Sequence, residues 1–387
     1  MSPSGGTARA ATPDDVPGGA ARDARAHRDA PVPTGGLLAV HAHPDDHAPV
    51  PTGGLLAVHA HPDDETLSTG ALLATWAAAG WPVTVVTATR GERGEVIPAA
   101  LAHLEGDGPA LAAHRSGELV AALAALGVTD HAFLDTLPPS DAAARGSHVA
   151  GGAGGASHPS QGAHAPHVRR NGTRRYEDSG MVWLGTARAG AGADVPAAAF
   201  VAVPIEEAAA RLAGVLRRRR PAVVVTYDPE GGYGHPDHVR VHEVTMRAVA
   251  LASGDGWEPA VWWRRIGAAA LAAGYRALRT DVVRTALGKM YDELTLPEPD
   301  GPLPAAAVAD DRVDVVVDAA AVRDRLLAAL RAYATQVHAV GAVDGQPALV
   351  GCYALSDRVL QPLLPTESYV HVAGPRPSLP GRVLRLP

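Results

Sequence analysis

The chain has 387 residues, 47% of them in the hydrophobic set, enough to bury a substantial core in one large domain or two smaller ones. A net charge of −7 excludes the basic footprint of a nucleic-acid-binding protein. Cys352 is the only cysteine, which rules out an internal disulfide and a cysteine-based zinc knuckle.

Residues 1–49 are rich in Ala, Pro, Gly, Asp and Arg, and read as a disordered leader with no apolar segment typical of a secretion signal. Within it lies Val32–Asp46, which recurs unchanged at Val50–Asp64. Both copies end in His-Pro-Asp-Asp, but only the second continues into a helix-compatible stretch. The first runs into His47, Ala48 and Pro49. One strand fills one place in a sheet, so the second copy is expected to be the working one, with His43, Asp45 and Asp46 given no role. From Leu55 the texture changes: Leu55–His59 reads as a strand buried on both faces, Thr66–Ala79 as a helix stopped by Gly80 and Pro82, and Val83–Ala88 as a second strand. That order implies a right-handed crossover and a parallel sheet. Ala110–Leu126 reads as a helix ended by Gly127, and Ala132–Leu134 as a short strand. Residues 138–173 are a low-complexity insertion of Gly, Ala, Ser, Pro and His. Ile205–Arg219 is helical, and its closing run of arginines suits a helix C-terminus before Pro221. A buried strand, Ala222–Tyr227, and a helix, His238–Ala252, follow. Beyond these the pattern is less regular, with an Ala-rich stretch at 267–278, a strand at Val313–Val317 and a helix at Ala320–Thr335. The expected fold is α/β and Rossmann-like: a mostly parallel sheet with helices on both faces and a smaller C-terminal elaboration. The expected domain spans 50–372, with 373–387 as a tail. No run of about 18 uncharged apolar residues occurs, so no membrane span is expected and the cytoplasm is the expected location.

Two constellations carry chemistry. The first, His61-Pro62-Asp63-Asp64-Glu65, follows a strand directly, and open α/β sheets bind ligands beyond the carboxyl ends of their strands. His and Asp three residues apart across a turn stiffened by proline can converge on one cation, leaving the intervening carboxylate free to act as a base. The competing reading is an aspartate capping the next helix beside a loop histidine. The second, running from Tyr227 through Gly231, Gly232, Tyr233 and Gly234 to His235-Pro236-Asp237-His238, also joins a strand to a helix. Two His-Pro-Asp tripeptides at strand ends of one sheet point to a shared metal site. Histidine and aspartate donors without cysteine suit Zn²⁺ or Fe²⁺, one per chain. With an open position for water and a spare carboxylate, such a centre hydrolyses an amide or an ester. Spacing alone leaves open which Asp and which His bind the metal.

Together these two motifs resemble the PIG-L/LmbE family of zinc-dependent N-acetylglucosaminyl deacetylases, over roughly Leu55 to Val372. The resemblance implies metal ligands at His61, Asp64 and His238 and a general base at Asp63. It implies that His235 assists the tetrahedral intermediate and the leaving amine, with Asp237 orienting it. Tyr233 is implied at the substrate carbonyl oxygen, and Arg115, Asp178 and Ser68 at the sugar. The implied activity is removal of acetate from an N-acetylglucosaminyl-inositol, a small-molecule substrate, in mycothiol biosynthesis. Alternatives are cleavage of a mycothiol S-conjugate, where proline is expected in place of Gly234, or deacetylation of another amino sugar. A metal-buffering protein using both His-Pro-Asp-Asp copies is the reading from a different class. The sequence carries no signal for oligomeric state.

Overall fold

In a computed structural model, the described residues are 54–138, 175–184, 188–192 and 195–385. The expected leader, including His43, Asp45 and Asp46, lies outside the described residues, as does the expected insertion apart from Pro138.

The first strand, β1 (Leu55–His59), is buried at every position, as is β2 (Val83–Thr87). Alternate side chains face opposite ways along a strand, so each unbroken apolar run must be covered on both sides. Helix α1 (Asp64–Ala78) joins them and begins two residues before the expected start, with Asp64 and Glu65 in its first turn, where the helix dipole favours carboxylates. Helix α2 (Gly108–Leu126) is capped by Asp107, whose side chain accepts from the Ala110 amide, and ends at Gly127 with φ 84°. After it come β3 (Asp130–Phe133), the small β4 (Val182–Trp183) and β5 (Ala189–Gly190), α3 (Ile205–Arg219), β6 (Val223–Thr226) and α4 (Pro236–Ala252). The C-terminal part adds β7 (Ala260–Gly267), α5 (Ala268–Ala277), α6 (Asp281–Leu287), β8 (Ala307–Val308), β9 (Val315–Asp318) and α7 (Arg323–Ala332). It closes with β10 (His338–Ala342), β11 (Gly351–Ala354), β12 (Leu360–Leu363), β13 (Thr366–Ala373) and β14 (Val383–Arg385).

Among the described residues, β3-β2-β1-β6-β7 form a parallel run, extended beyond β7 by antiparallel β13, β9 and β14. The protein is thus α/β with a large, mostly parallel sheet. Leu55, Ala57 and Val85 face one core with Leu72, Leu119 and Leu330 from α1, α2 and α7. Leu56, Val58 and Val224 face the other with Leu212 and Val244 from α3 and α4. Burying each Leu or Val here contributes about 1.5–3 kcal/mol. The C-terminal region is more than an elaboration, since it supplies β7, β9, β13 and β14 to the main sheet. The sequence pattern misses β7 and β13 because Arg264, Arg265 and His371 interrupt them at positions that are only half-buried. The expected helix at Ala320–Thr335 divides into a 3-10 turn, Ala320–Val322, and α7.

The crossover from β1 runs to β2, whereas the chain returns from β3 to place β6 on the other side of β1. The sheet therefore has its switch point between β1 and β6, where such sheets bind ligands. Both chemistry-bearing turns leave the carboxyl ends of these two strands. No helix among the described residues is long and apolar enough to cross a membrane.

Candidate active site

The turn after β1 is built around Asp64. Its Oδ2 accepts from the His61 amide at 2.9 Å and lies 3.2 Å from His61 Nδ1. Asp63 occupies the cap position of α1 with φ 101° and ψ −36°, yet its side chain makes no cap hydrogen bond. The simple helix-cap reading of this aspartate therefore fails. Instead its Oδ2 accepts from Arg115 Nη2 at 3.1 Å. Arg115 also donates to Pro62 O at 2.5 Å and Gly91 O at 2.8 Å. It reaches there only because residue 91 is glycine: a Cβ at that position would lie 1.8 Å from Arg115 Nη1. The resemblance assigns Arg115 to the sugar, but the structure buries it and directs Nη2 onto the turn after β1 and Nη1 onto Gly91 O beyond β2.

After β6 the chain passes through a tight loop pinned by Asp228, which accepts from the Glu230 and Gly232 amides at 2.8 and 3.2 Å. Gly231, Gly232 and Gly234 have φ of 67°, 72° and 94°, conformations that side-chain-bearing residues rarely adopt. His235 then caps α4, its Nδ1 accepting from the Asp237 amide at 3.1 Å. A neutral imidazole whose Nδ1 accepts carries its proton on Nε2, so His235 presents a donor to the site. The resemblance implies that Asp237 orients His235; the contact between them in the structure is this backbone hydrogen bond. The Asp237 carboxylate points elsewhere, because residue 237 sits in the first turn of α4 with its amide facing the cap. Asp237 Oδ2 lies 3.2 Å from His61 Nε2, and the carboxylate accepts from the Ser179 amide at 2.9 Å and Oγ at 2.5 Å. The His238 ring stacks on Tyr227 at 4.2 Å.

The two turns meet at Asp64, which spans both histidines: Oδ2 faces His61, and Oδ1 lies 3.2 Å from His238 Nε2. Ligands of one tetrahedral zinc ion, each about 2.1 Å from it, stand about 3.4 Å apart, close to this spacing. His238 Nε2 is buried and makes no hydrogen bond, an orphaned lone pair of the kind a cation satisfies. In two further groupings one donor atom from each residue lies within 4.8 Å of the others: His61 with His235 and His238, and His61 with Asp178 and Asp237. Of the histidines, His235 is the poorest ligand, since binding through Nε2 would cost its cap bond.

The electrostatics favour positive charge at this point. Burial works against protonation of His61, but Asp178, Asp237 and Asp64 together raise its pKa well above the usual 6.5. Burial would raise Asp64, yet His238 and His61 hold it well below the ordinary carboxylate value. Asp63 is pushed up to about 8 by burial, with Arg115 opposing. Burial, reinforced by His61 and His238, lowers the pKa of His235 and keeps it neutral.

The remaining expected residues lie around this centre. The Tyr233 ring meets His238 edge-on at 5.1 Å. Asp178 Oδ1 stands 3.7 Å from His61 Nε2. Ser68 is half-buried on α1, and the structure gives it no partner in the cluster. Beside Asp178 opens a polar cleft of about 530 Å³, lined by Glu92, Arg93, Glu95, Arg175 and Glu177. Sequence reasoning gave no role to Glu65 and Tyr227, which end the first motif and open the second, nor to Ser179, which follows Asp178 in the chain. Tyr333, which bonds Glu65, had no local signal at all.

Residues 56–249 match the family described as PIG-L: GlcNAc-PI de-N-acetylase. The chain is 43% identical over 344 residues to the 1D-myo-inositol 2-acetamido-2-deoxy-alpha-D-glucopyranoside deacetylase of Kineococcus radiotolerans, covering 87% of this chain and 77% of that protein. It is 40% identical over 359 residues to the protein of the same name from Streptomyces griseus, covering 89% of this chain and 85% of that protein. Among solved structures, conserved protein TT1542 from Thermus thermophilus is similar at 20% identity and a TM-score of 0.38, over 73% of this chain and 80% of that one.

Proposed function

The chain belongs to the PIG-L, GlcNAc-PI de-N-acetylase, family, and from that premise we propose that it hydrolyses the N-acetyl group of 1-D-myo-inositol 2-acetamido-2-deoxy-α-D-glucopyranoside. The reaction is the deacetylation step of mycothiol biosynthesis, carried out in the cytoplasm by a domain that begins near residue 50 and runs past the expected boundary at 372 to include β14, with 138–173 as an insertion and 1–49 as a leader. The observation that carries the chemistry is the convergence of both His-Pro-Asp turns on Asp64 at the switch point. The substrate rests on the names of relatives matched along most of their length.

His61, Asp64 and His238 would hold one zinc ion, with iron(II) as the alternative. When bound, the ion supplies Lewis acidity toward water and the acetamide carbonyl. Asp63 accepts the proton of the attacking water, and burial, which pushes its pKa up to about 8 against the pull of Arg115, makes it hold that proton more tightly than an ordinary carboxylate. The Nε2–H of His235 and the Tyr233 hydroxyl stabilise charge growing on the carbonyl oxygen. As the C–N bond breaks, the proton that Asp63 took from the water is delivered to the nitrogen, while His235 stays neutral and its Nε2–H holds the oxyanion, giving acetate and a free amine. Ser179 and Asp237 hold His61 in place. Asp178 and Ser68 receive the sugar beside the cleft, while Arg115 fixes Asp63.

Gly234 disfavours the conjugate-amidase reading, because its φ of 94° is closed to a proline fixed near −65°. Among the described residues both donor groupings share His61 and so form one locus, the arrangement expected of a single catalytic centre. The test compares zinc-loaded protein on N-acetylglucosaminyl-inositol and on a mycothiol S-conjugate. Equal amounts of acetate and amine from the first, at the higher kcat/KM, are expected. Preferential cleavage of the conjugate, or no acetate, would overturn the reading.

A further inference from the structure

Asp63 holds a backbone conformation, φ 101°, that a non-glycine residue keeps only when its surroundings enforce it. Arg115 grips the carboxylate from one side. On the other side stands Glu65, fully buried, with no arginine or lysine among its partners. Its Oε2 accepts from the Asp63 amide at 3.2 Å, and its Oε1 accepts from Thr66 Oγ1 and from the Tyr333 hydroxyl, each at 2.6 Å. Tyr333 is also fully buried and follows the end of α7. Its position is itself anchored: two residues on, the Thr335 amide and Oγ1 donate to Glu118 of α2 at 2.8 and 2.6 Å, and Thr335 O accepts from the Ile97 amide at 3.0 Å.

We propose that Tyr333 is a positioning residue for Asp63, acting through Glu65 to keep the Asp63 backbone in its strained conformation. The tether comes from the C-terminal part of the chain, beyond the residues 56–249 that match the family. A buried carboxylate with several hydrogen-bond donors has a fixed orientation, and removing one donor frees it to rotate. Without the Tyr333 hydroxyl, Glu65 keeps Thr66 but loses its link to the rigid turn at 333–335. Asp63 can then relax, and its carboxylate drifts from the water it must deprotonate. Ligands and cleft are untouched, so the loss falls on turnover rather than on binding.

The inference rests on Asp63 being the base, and the test separates the two. Zinc-loaded full-length Tyr333→Phe should lose kcat by about tenfold to a hundredfold, with KM, zinc content and melting temperature close to wild type. Glu65→Ala should lose at least as much. The double variant should lose no more than Glu65→Ala, because both act along one path. Wild-type kcat in Tyr333→Phe, a loss confined to KM or zinc, or multiplied losses in the double variant would overturn the proposal. If Glu65→Ala does not fold, the kcat-against-KM result for Tyr333→Phe decides alone. Asp63→Asn with wild-type kcat would sink the base assignment itself. Inactive Asp63→Asn beside fully active Tyr333→Phe would sink only the tether.

Discussion

The two His-Pro-Asp turns share a tripeptide, a strand before and a helix after, yet physics divides their labour. In the turn after β1, the histidine lies among carboxylates and its pKa rises, while Asp63 is strained and leaves its helix uncapped. In the turn after β6, the histidine caps its helix and its pKa falls, while the aspartate is locked by Ser179. Each turn keeps one group responsive and one fixed, but the choice is reversed. The first offers a carboxylate whose hold on a proton burial strengthens, suited to taking one from water. The second offers a neutral imidazole with an outward N–H, suited to donating a hydrogen bond to a developing oxyanion. What separates them is local: one capping bond at His235, and the Arg115 and Glu65 clamps at Asp63.

The hardest break in this comparison is loss of the shared centre. His61→Ala should lose tight zinc binding and essentially all turnover, whereas His43→Ala, in the duplicated leader, should keep both. Equal losses from the two, by metal analysis and acetate release, would contradict a single site. A smaller effect is expected where the second turn supports the first. Asp237→Asn should reduce zinc affinity or kcat about tenfold to a hundredfold, since it weakens the partner of His61 Nε2. Wild-type kinetics there would show that His61 needs no such support. The smallest effect lies outside both turns. His131 on β3, its pKa lowered from 6.5 to about 4 by burial and then by Arg90, takes up a proton on unfolding. The unfolded chain thus binds more protons, so stability falls as pH drops from 6.5 toward 4. His131→Asn should flatten that part of the denaturation profile and leave turnover unchanged. An unchanged acid slope would show that His131 does not contribute.

Much of this arrangement is legible in the chain because its signals are local. Apolar runs at Leu55–His59 and Val223–Thr226 mark strands covered on both faces, and the turns after them hold the chemistry within a few residues. The twist at Asp63 was not legible, since no glycine marks it. The inward aim of Arg115 depends on an absent side chain at Gly91, far from it in sequence. Tyr333 touches Glu65 across 268 residues, and neither the apolar period nor any motif records such a contact. The antiparallel strands β7 and β13 were hidden because arginines and a histidine occupy half-covered positions that a sequence pattern assigns to solvent.

The central claim is that the first turn separates a base from the ligands beside it. Metal content and acetate release measured together on Asp63→Asn test it most directly. The account predicts one bound metal ion per chain with turnover reduced by about a thousandfold, within the range for a lost general base. Loss of the metal along with activity, or wild-type turnover, would contradict it.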